Sequence, residues 1–148
     1  MRIAQVAPLH ERVPPRAYGG TERVVHYLTE ALVAQGHDVT LFASGDSLTS
    51  ARLQAVVPEA LRLSRHCRDP LASHVLQLAA VAGRAGDFDV VHFHTDYMHF
   101  PLWRSVSTPQ VTTLHGRLDL PDLPPLFSEF PDMPVISISD DQRGPLPM

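Results

Sequence analysis

Two short apolar runs, Arg2 to Ala7 (RIAQVA) and Asp38 to Ala43 (DVTLFA), bracket a stretch of helical periodicity, and no other feature constrains the fold as tightly. Between them Val24, Val25, Leu28, Ala31 and Leu32 recur at the spacing of one helix face. Thr21 is the expected N-cap, the helix is expected to reach about Gln35, and Gly36 stands where a left-handed residue ends a helix. Strands joined by so long a crossover pair in parallel, and such crossovers are right-handed.

The alternation continues along the chain. Leu53 to Pro58 is a candidate short strand, and Leu71 to Arg84 a helix with Leu71, Val75, Leu78, Ala79 and Ala82 on one stripe. Asp89 to Thr95 (DVVHFHT) and Gln110 to Leu114 (QVTTL) are strands, with a short helix expected over Tyr97 to Arg104. After a proline-rich segment, Val135 to Ser139 (VISIS) is a last strand. The expectation is one domain over 1–148, an α/β doubly wound parallel sheet covered on both faces, with 140–148 a frayed tail. Ligands bind such sheets beyond the carboxyl ends of the strands. The loop at Gly19-Gly20, His94-Thr95-Asp96, His115-Gly116 and Ser139 all fall there.

Composition narrows the function classes. With 44% hydrophobic and 19% charged residues the chain can bury a core, and a formal charge of −4 offers no basic face for nucleic acid. A single cysteine, Cys67, cannot form an internal disulfide, so the expected compartment is the reducing cytoplasm. No apolar run approaches the ~20 residues of a membrane span. The basic segment at 62–68 (RLSRHCR) supports peripheral membrane contact at most.

Several groups could carry chemistry. In Tyr18-Gly19-Gly20-Thr21, two glycines ahead of a helix let backbone amides approach an anion such as a diphosphate, or simply supply unusual dihedrals. Glu22, in the same first turn, would repel that anion unless it points away. His92, His94 and Asp96 share a strand face if the strand runs that far, and with His99 or His115 they could form a zinc site. The alternative is a buried His92 with His94 lining a pocket. His115, at a strand end beside Gly116, is placed to bond a substrate hydroxyl or to serve as a structural histidine. Glu22 and Glu30 lie on the helix's polar face and are expected in solvent. No serine sits in a nucleophile elbow.

Taken together, RIAQVAP, YGGTERVVHYLTEALVAQGHDVTLFASGDS, DFDVVHFHTD, VTTLHG and VISIS resemble the N-terminal domain of family 4 glycosyltransferases, retaining enzymes of the GT-B fold. The resemblance covers nearly the whole chain and implies a Rossmann-like domain on the acceptor side of a cleft. It implies a nucleotide-sugar donor, an acceptor of unknown kind, and no bound metal or other cofactor. Gly19, Gly20 and Thr21 would meet the donor diphosphate, and His115 would contact the transferred sugar. Tyr18, His94, Asp96, Gly116 and Arg117 would line the cleft or meet the acceptor. The glutamate pair of the family belongs to its C-terminal domain, so the Glu22 and Glu30 spacing is coincidental. That donor-binding domain is absent after Ser139, which implies a truncated enzyme inactive alone. Two other readings stay open: a binding module completed by a separate subunit, and a metallohydrolase built on His92, His94, Asp96 and His115.

Overall fold

The computed structural model describes residues 1–62 and 64–146. Six strands, β1 Arg2–Val6, β2 Asp38–Ala43, β3 Arg52–Ala55, β4 Val90–Phe93, β5 Gln110–Leu114 and β6 Val135–Ser137, form one sheet. Its order is β3-β2-β1-β4-β5-β6, and every neighbouring pair is parallel. The chain therefore starts in the middle of the sheet, works outward through β2 and β3, and returns past β1 to build β4, β5 and β6. The reversal between β1 and β4 is the switch point where such sheets open a crevice. This is the doubly wound α/β sheet that the strand–helix alternation predicts.

Strand alternation sorts the core into two layers. Ala4, Val6, Phe42, Val91, Phe93 and Leu114 face one cluster, which Leu78, Val81, Phe100, Trp103 and Phe127 complete. Ala7, Leu41 and Ala43 face the other, with Val13 and Val25. The register Gln5↔His92 puts two polar side chains next to each other on the second face.

Among the described residues four α-helices connect strands, α1 Gly20–Ala34, α2 Pro70–Gly83, α3 Phe100–Trp103 and α4 Leu123–Glu129, and α5 Asp140–Arg143 follows β6. The N-cap of α1 is Gly19, not the expected Thr21: the Gly19 carbonyl accepts from Arg23 N–H at 3.1 Å, so Thr21 lies inside the first turn. Gly36 closes the helix at φ +85°, the left-handed residue expected there. The buried stripe of α1 is Glu22, Val25 and Thr29, while Val24 and Ala31 face outward.

A similar rotation separates α2 from its sequence pattern. Leu71 and Val75 are exposed, and His74, Gln77, Leu78 and Val81 are buried. The cause is hydrogen bonding at the strand ends. Gln77 Nε2 donates to the carbonyls of Ala7 (3.0 Å) and Phe42 (3.3 Å), and Leu9 N–H donates to His74 Nε2 at 3.2 Å. Buried backbone groups need such partners, so polar residues turn inward and leucines turn out.

Further boundaries differ from the periodicity: α3 starts at Phe100 rather than Tyr97 and β6 stops at Ser137 rather than Ser139. The third strand is Arg52–Ala55, ending before Pro58. The proline-rich segment carries α4, with Pro124 near its start and Leu123 and Phe127 in the core. Residues 140–143, expected to fray, form the turn α5, where Ser139 Oγ accepts from Gln142 N–H at 3.1 Å. Pro147 and Met148 lie outside the described residues, as does Leu63 in the basic segment. No helix among the described residues is long and apolar enough to cross a membrane.

Candidate functional site

Each strand that reaches the switch point hands its following loop to the same crevice. After β1 the chain runs over Pro8 to Tyr18 and turns into α1 through Gly19, whose φ of +142° suits glycine alone. A β-carbon on Gly19 would also lie 2.7 Å from Pro15 Cβ. Gly20 is different. It has no positive φ, and a β-carbon there would meet nothing within 4 Å. Nothing in the fold requires glycine at position 20.

Strand β4 ends at Phe93, although His94 N–H still reaches the Val6 carbonyl at 2.9 Å. The strand does not run on to Asp96, as the shared-face reading requires. Instead Asp96 takes φ +50°, and this turn swings its carboxylate to His115, whose backbone N–H it accepts at 3.4 Å. Gly116 follows, and a β-carbon there would sit 3.8 Å from Asp96 Oδ2. Gln142 on α5 ties this loop down, donating to Leu114 O (2.9 Å) and Gly116 O (2.7 Å).

Behind His115 a line of polar side chains runs across the sheet. His94 Nδ1 is 2.9 Å from His115 Nε2, and His94 Nε2 is 2.9 Å from Gln5 Oε1. Gln5 Nε2 is 3.4 Å from His92 Nδ1, and His92 Nε2 is 2.8 Å from Thr113 Oγ1. Burial pushes His92 down to about 4 and His94 well below the ordinary histidine value. His115 is lowered by burial, against the opposing pull of the Asp96 carboxylate. At neutral pH the three rings are uncharged.

A cavity of about 770 Å³ collects these pieces. Tyr18, Gly19, Gly20, Thr21, His94, Asp96, His115 and Gly116 all line it, so eight of the residues singled out from sequence share one space. Arg117 does not. It pairs with Asp119 at 2.8 Å beside a second cavity of about 500 Å³, which shares His115 and Gly116 as its wall. Ser139 lines that second space too.

Two acidic side chains depart from expectation. Glu22 is 5% exposed rather than solvated, and burial raises its carboxyl above the ordinary range. Glu30 is half-buried, accepting from Thr49 Oγ1 at 2.7 Å and Ser50 N–H at 3.0 Å. Sequence reasoning also passed over Gln5, and read Arg62 only as part of the basic segment 62–68. Gln5 carried a signal, as the one polar side chain inside the run IAQVA. Arg62 lines the cavity, pairs with Glu11 at 2.6 Å and stacks over the exposed Tyr18 ring at 5.5 Å.

The candidate zinc cluster does not assemble. Among the described residues no three His, Cys, Asp or Glu side chains come together to hold a metal. Both ring nitrogens of His92 and of His94 are spent on neighbours. His99 faces the other layer, stacked on Phe93 with ring centroids 3.6 Å apart.

The model of Glycosyltransferase Family 4 matches residues 18–134, most of the chain and nearly all of this crevice. The chain belongs to glycosyltransferase family 4. Among solved structures it is similar to AviGT4, a glycosyltransferase involved in avilamycin A biosynthesis, at 27% identity and TM-score 0.55. That likeness covers 78% of this chain and 32% of AviGT4. Sucrose-phosphate synthase from Thermosynechococcus elongatus shares the fold at 20% identity and TM-score 0.55, over 78% of this chain and 33% of that one. So does the C-terminal domain of the coenzyme A biosynthesis bifunctional protein CoaBC, at 13% identity and TM-score 0.57, over 92% and 76%. No curated protein sequence matches. The chain thus spans about a third of the two glycosyl-transfer relatives, and its sheet is the Rossmann-like domain of the GT-B architecture.

Proposed function

We propose that this family 4 domain forms the acceptor-side wall of a cleft in which a sugar passes from a nucleotide-sugar donor to an acceptor with retention. The observation that carries the reading is the meeting of the Gly19-Gly20 turn and His115 in one cavity at the switch point. Gly20 supports it further, because a glycine without conformational or steric need is explained by a ligand that approaches its backbone. The free N–H groups at the start of α1 suit a diphosphate. Glu22 lies beneath that turn, and burial raises its carboxyl above the ordinary range.

In this reading the departing nucleoside diphosphate gathers negative charge as the glycosidic bond breaks. Amides of Gly19, Gly20 and Thr21, oriented beforehand, stabilise that charge more in the transition state than in the ground state. His115 holds the transferred sugar through a hydroxyl, Asp96 fixes the His115 backbone, and Tyr18, His94, Gly116 and Arg117 shape the acceptor side. No protein nucleophile is needed if the leaving phosphate takes the acceptor's proton. The chemistry demands exclusion of water, which one open wall does not provide. Turnover accordingly requires a donor-binding unit on the opposite side, whether on the same polypeptide or as a separate subunit. Ile138, 57% exposed and lining both cavities, supports an apolar partner surface there.

Replacing His115 by alanine in the catalytically competent protein tests this. Loss of one well-placed transition-state contact lowers turnover on the order of 10²-fold. Unchanged turnover would remove His115 from the mechanism.

A further inference from the structure

The polar line behind His115 has a direction, and the direction starts at Gln5. A carboxamide is the only member of the line whose donor and acceptor atoms cannot exchange roles: its oxygen accepts and its nitrogen donates. The oxygen faces His94 Nε2 at 2.9 Å, so that nitrogen carries the hydrogen. His94 is 2% exposed and uncharged, which leaves its Nδ1 as a bare acceptor. The partner at 2.9 Å, His115 Nε2, must then be the donor. The Gln5 nitrogen faces His92 Nδ1, so His92 carries its hydrogen on Nε2 and gives it to Thr113 Oγ1. Each contact has one donor and one acceptor. Reversing the amide reverses every link at once and would place a hydrogen on His115 Nδ1.

We propose that Gln5, acting through His94, locks His115 as its Nε2–H tautomer, so that His115 presents a bare Nδ1 to the cleft and accepts a hydrogen bond from a substrate hydroxyl. Among the described residues His115 Nδ1 has no hydrogen-bond partner and is not buried, so it is open to a group in the cleft. Gln5 is wholly buried, and its own strand needs no amide for pairing; Ala7 and Leu41 on the same face of the sheet show what that layer otherwise selects. Gln5 and His94 are thus positioning residues. They set which kind of group His115 recognises without touching the substrate. The recognition of a hydroxyl donor rests on the cleft reading above, whereas the tautomer does not.

Long-range 1H–15N correlation spectra of the protein labelled at histidine nitrogen distinguish the two neutral tautomers directly, with no donor or acceptor present. The His115 signals are assigned by their loss in His115→Asn. The expected result at pH 7.5 is the Nε2–H pattern at His92, His94 and His115. In Gln5→Met, which removes both ends of the amide at similar volume, His115 is expected to relax to a mixture of tautomers. An Nδ1–H pattern at His115 in the unsubstituted protein overturns the proposal, and this spectrum decides even if Gln5→Met does not fold. A folded Gln5→Met protein whose His115 remains wholly Nε2–H also overturns it. Failure of the cleft reading would appear elsewhere, as undiminished turnover of His115→Ala while the unsubstituted protein still shows the Nε2–H pattern at His115.

Discussion

Glu22 Oε2 lies 3.0 Å from the point a β-carbon on Gly19 would occupy, so the buried carboxyl and the bare glycine backbone fill one another's space. Gly20, the next residue, has no such neighbour. The two glycines therefore respond differently to a methyl group. Gly19→Ala must move Pro15 or Glu22 and adopt an unfavourable φ, a cost of about 1–3 kcal/mol that lowers the melting temperature.

Gly20→Ala separates folding from function. An alanine at this exposed helical position leaves stability unchanged or raises it by up to ~1 kcal/mol. If donor phosphates approach this backbone, the same methyl group impairs donor binding, and the KM for the nucleotide sugar rises. A Gly20→Ala enzyme with an unaltered KM would place the diphosphate elsewhere.

The buried histidines make the fold acid-sensitive. His92 and His99 are both pushed down by burial to about 4, and His74 and His94 are lowered for the same reason. Their values in the unfolded chain stand near 6.5, so below that pH the unfolded state takes up protons that the folded state refuses. Their contribution is complete above pH 6.5 and is lost as pH falls toward 4, with each proton worth up to ~1.4 kcal/mol per pH unit. Urea midpoints measured from pH 7.5 to 4.5 are expected to fall steadily. His99→Gln, which removes one titrating ring beside Gln110 and Thr112, should flatten that slope. A slope identical to that of the unsubstituted protein would mean His99 titrates normally.

Gln77→Leu probes why α2 turns polar residues inward. The substitution keeps the volume and removes the donor to Ala7 O and Phe42 O at the ends of β1 and β2. The Ala7 carbonyl loses its donor while Phe42 O keeps the Ala7 N–H at 2.9 Å, and the cost is about 2 kcal/mol, read as a lower urea midpoint at unchanged m-value. No loss would show that the Ala7 carbonyl is served by another donor.

The cleft side invites a partner, since Ile138 stands 57% exposed and lines both cavities. Protein captured from its source cells is expected to have an intact mass above 16.3 kDa, or to bring a second chain with it. A lone 16.3 kDa species that transfers sugar would end the two-walled reading.

What could be read from the chain alone was whatever one-dimensional chemistry dictates. The runs RIAQV, DVTLFA and QVTTL are short and rich in β-branched residues, which favours strands, and the helices between them favour parallel pairing. Gly36 and the residues at the strand ends were legible for the same local reasons, and eight of the nine candidate site residues do line one cavity. Helix faces were less legible. Leu71 and Val75 carry the apolar signal of α2, yet His74 and Gln77 are buried because strand ends elsewhere in the chain need partners. Long-range juxtaposition decided the site. Register set Gln5 beside His92, a left-handed turn brought Asp96 to His115, and burial kept the rings neutral. Hydrogen bonds between residues 21 and 89 positions apart leave no periodic trace in sequence, because they depend on which strands the topology makes neighbours.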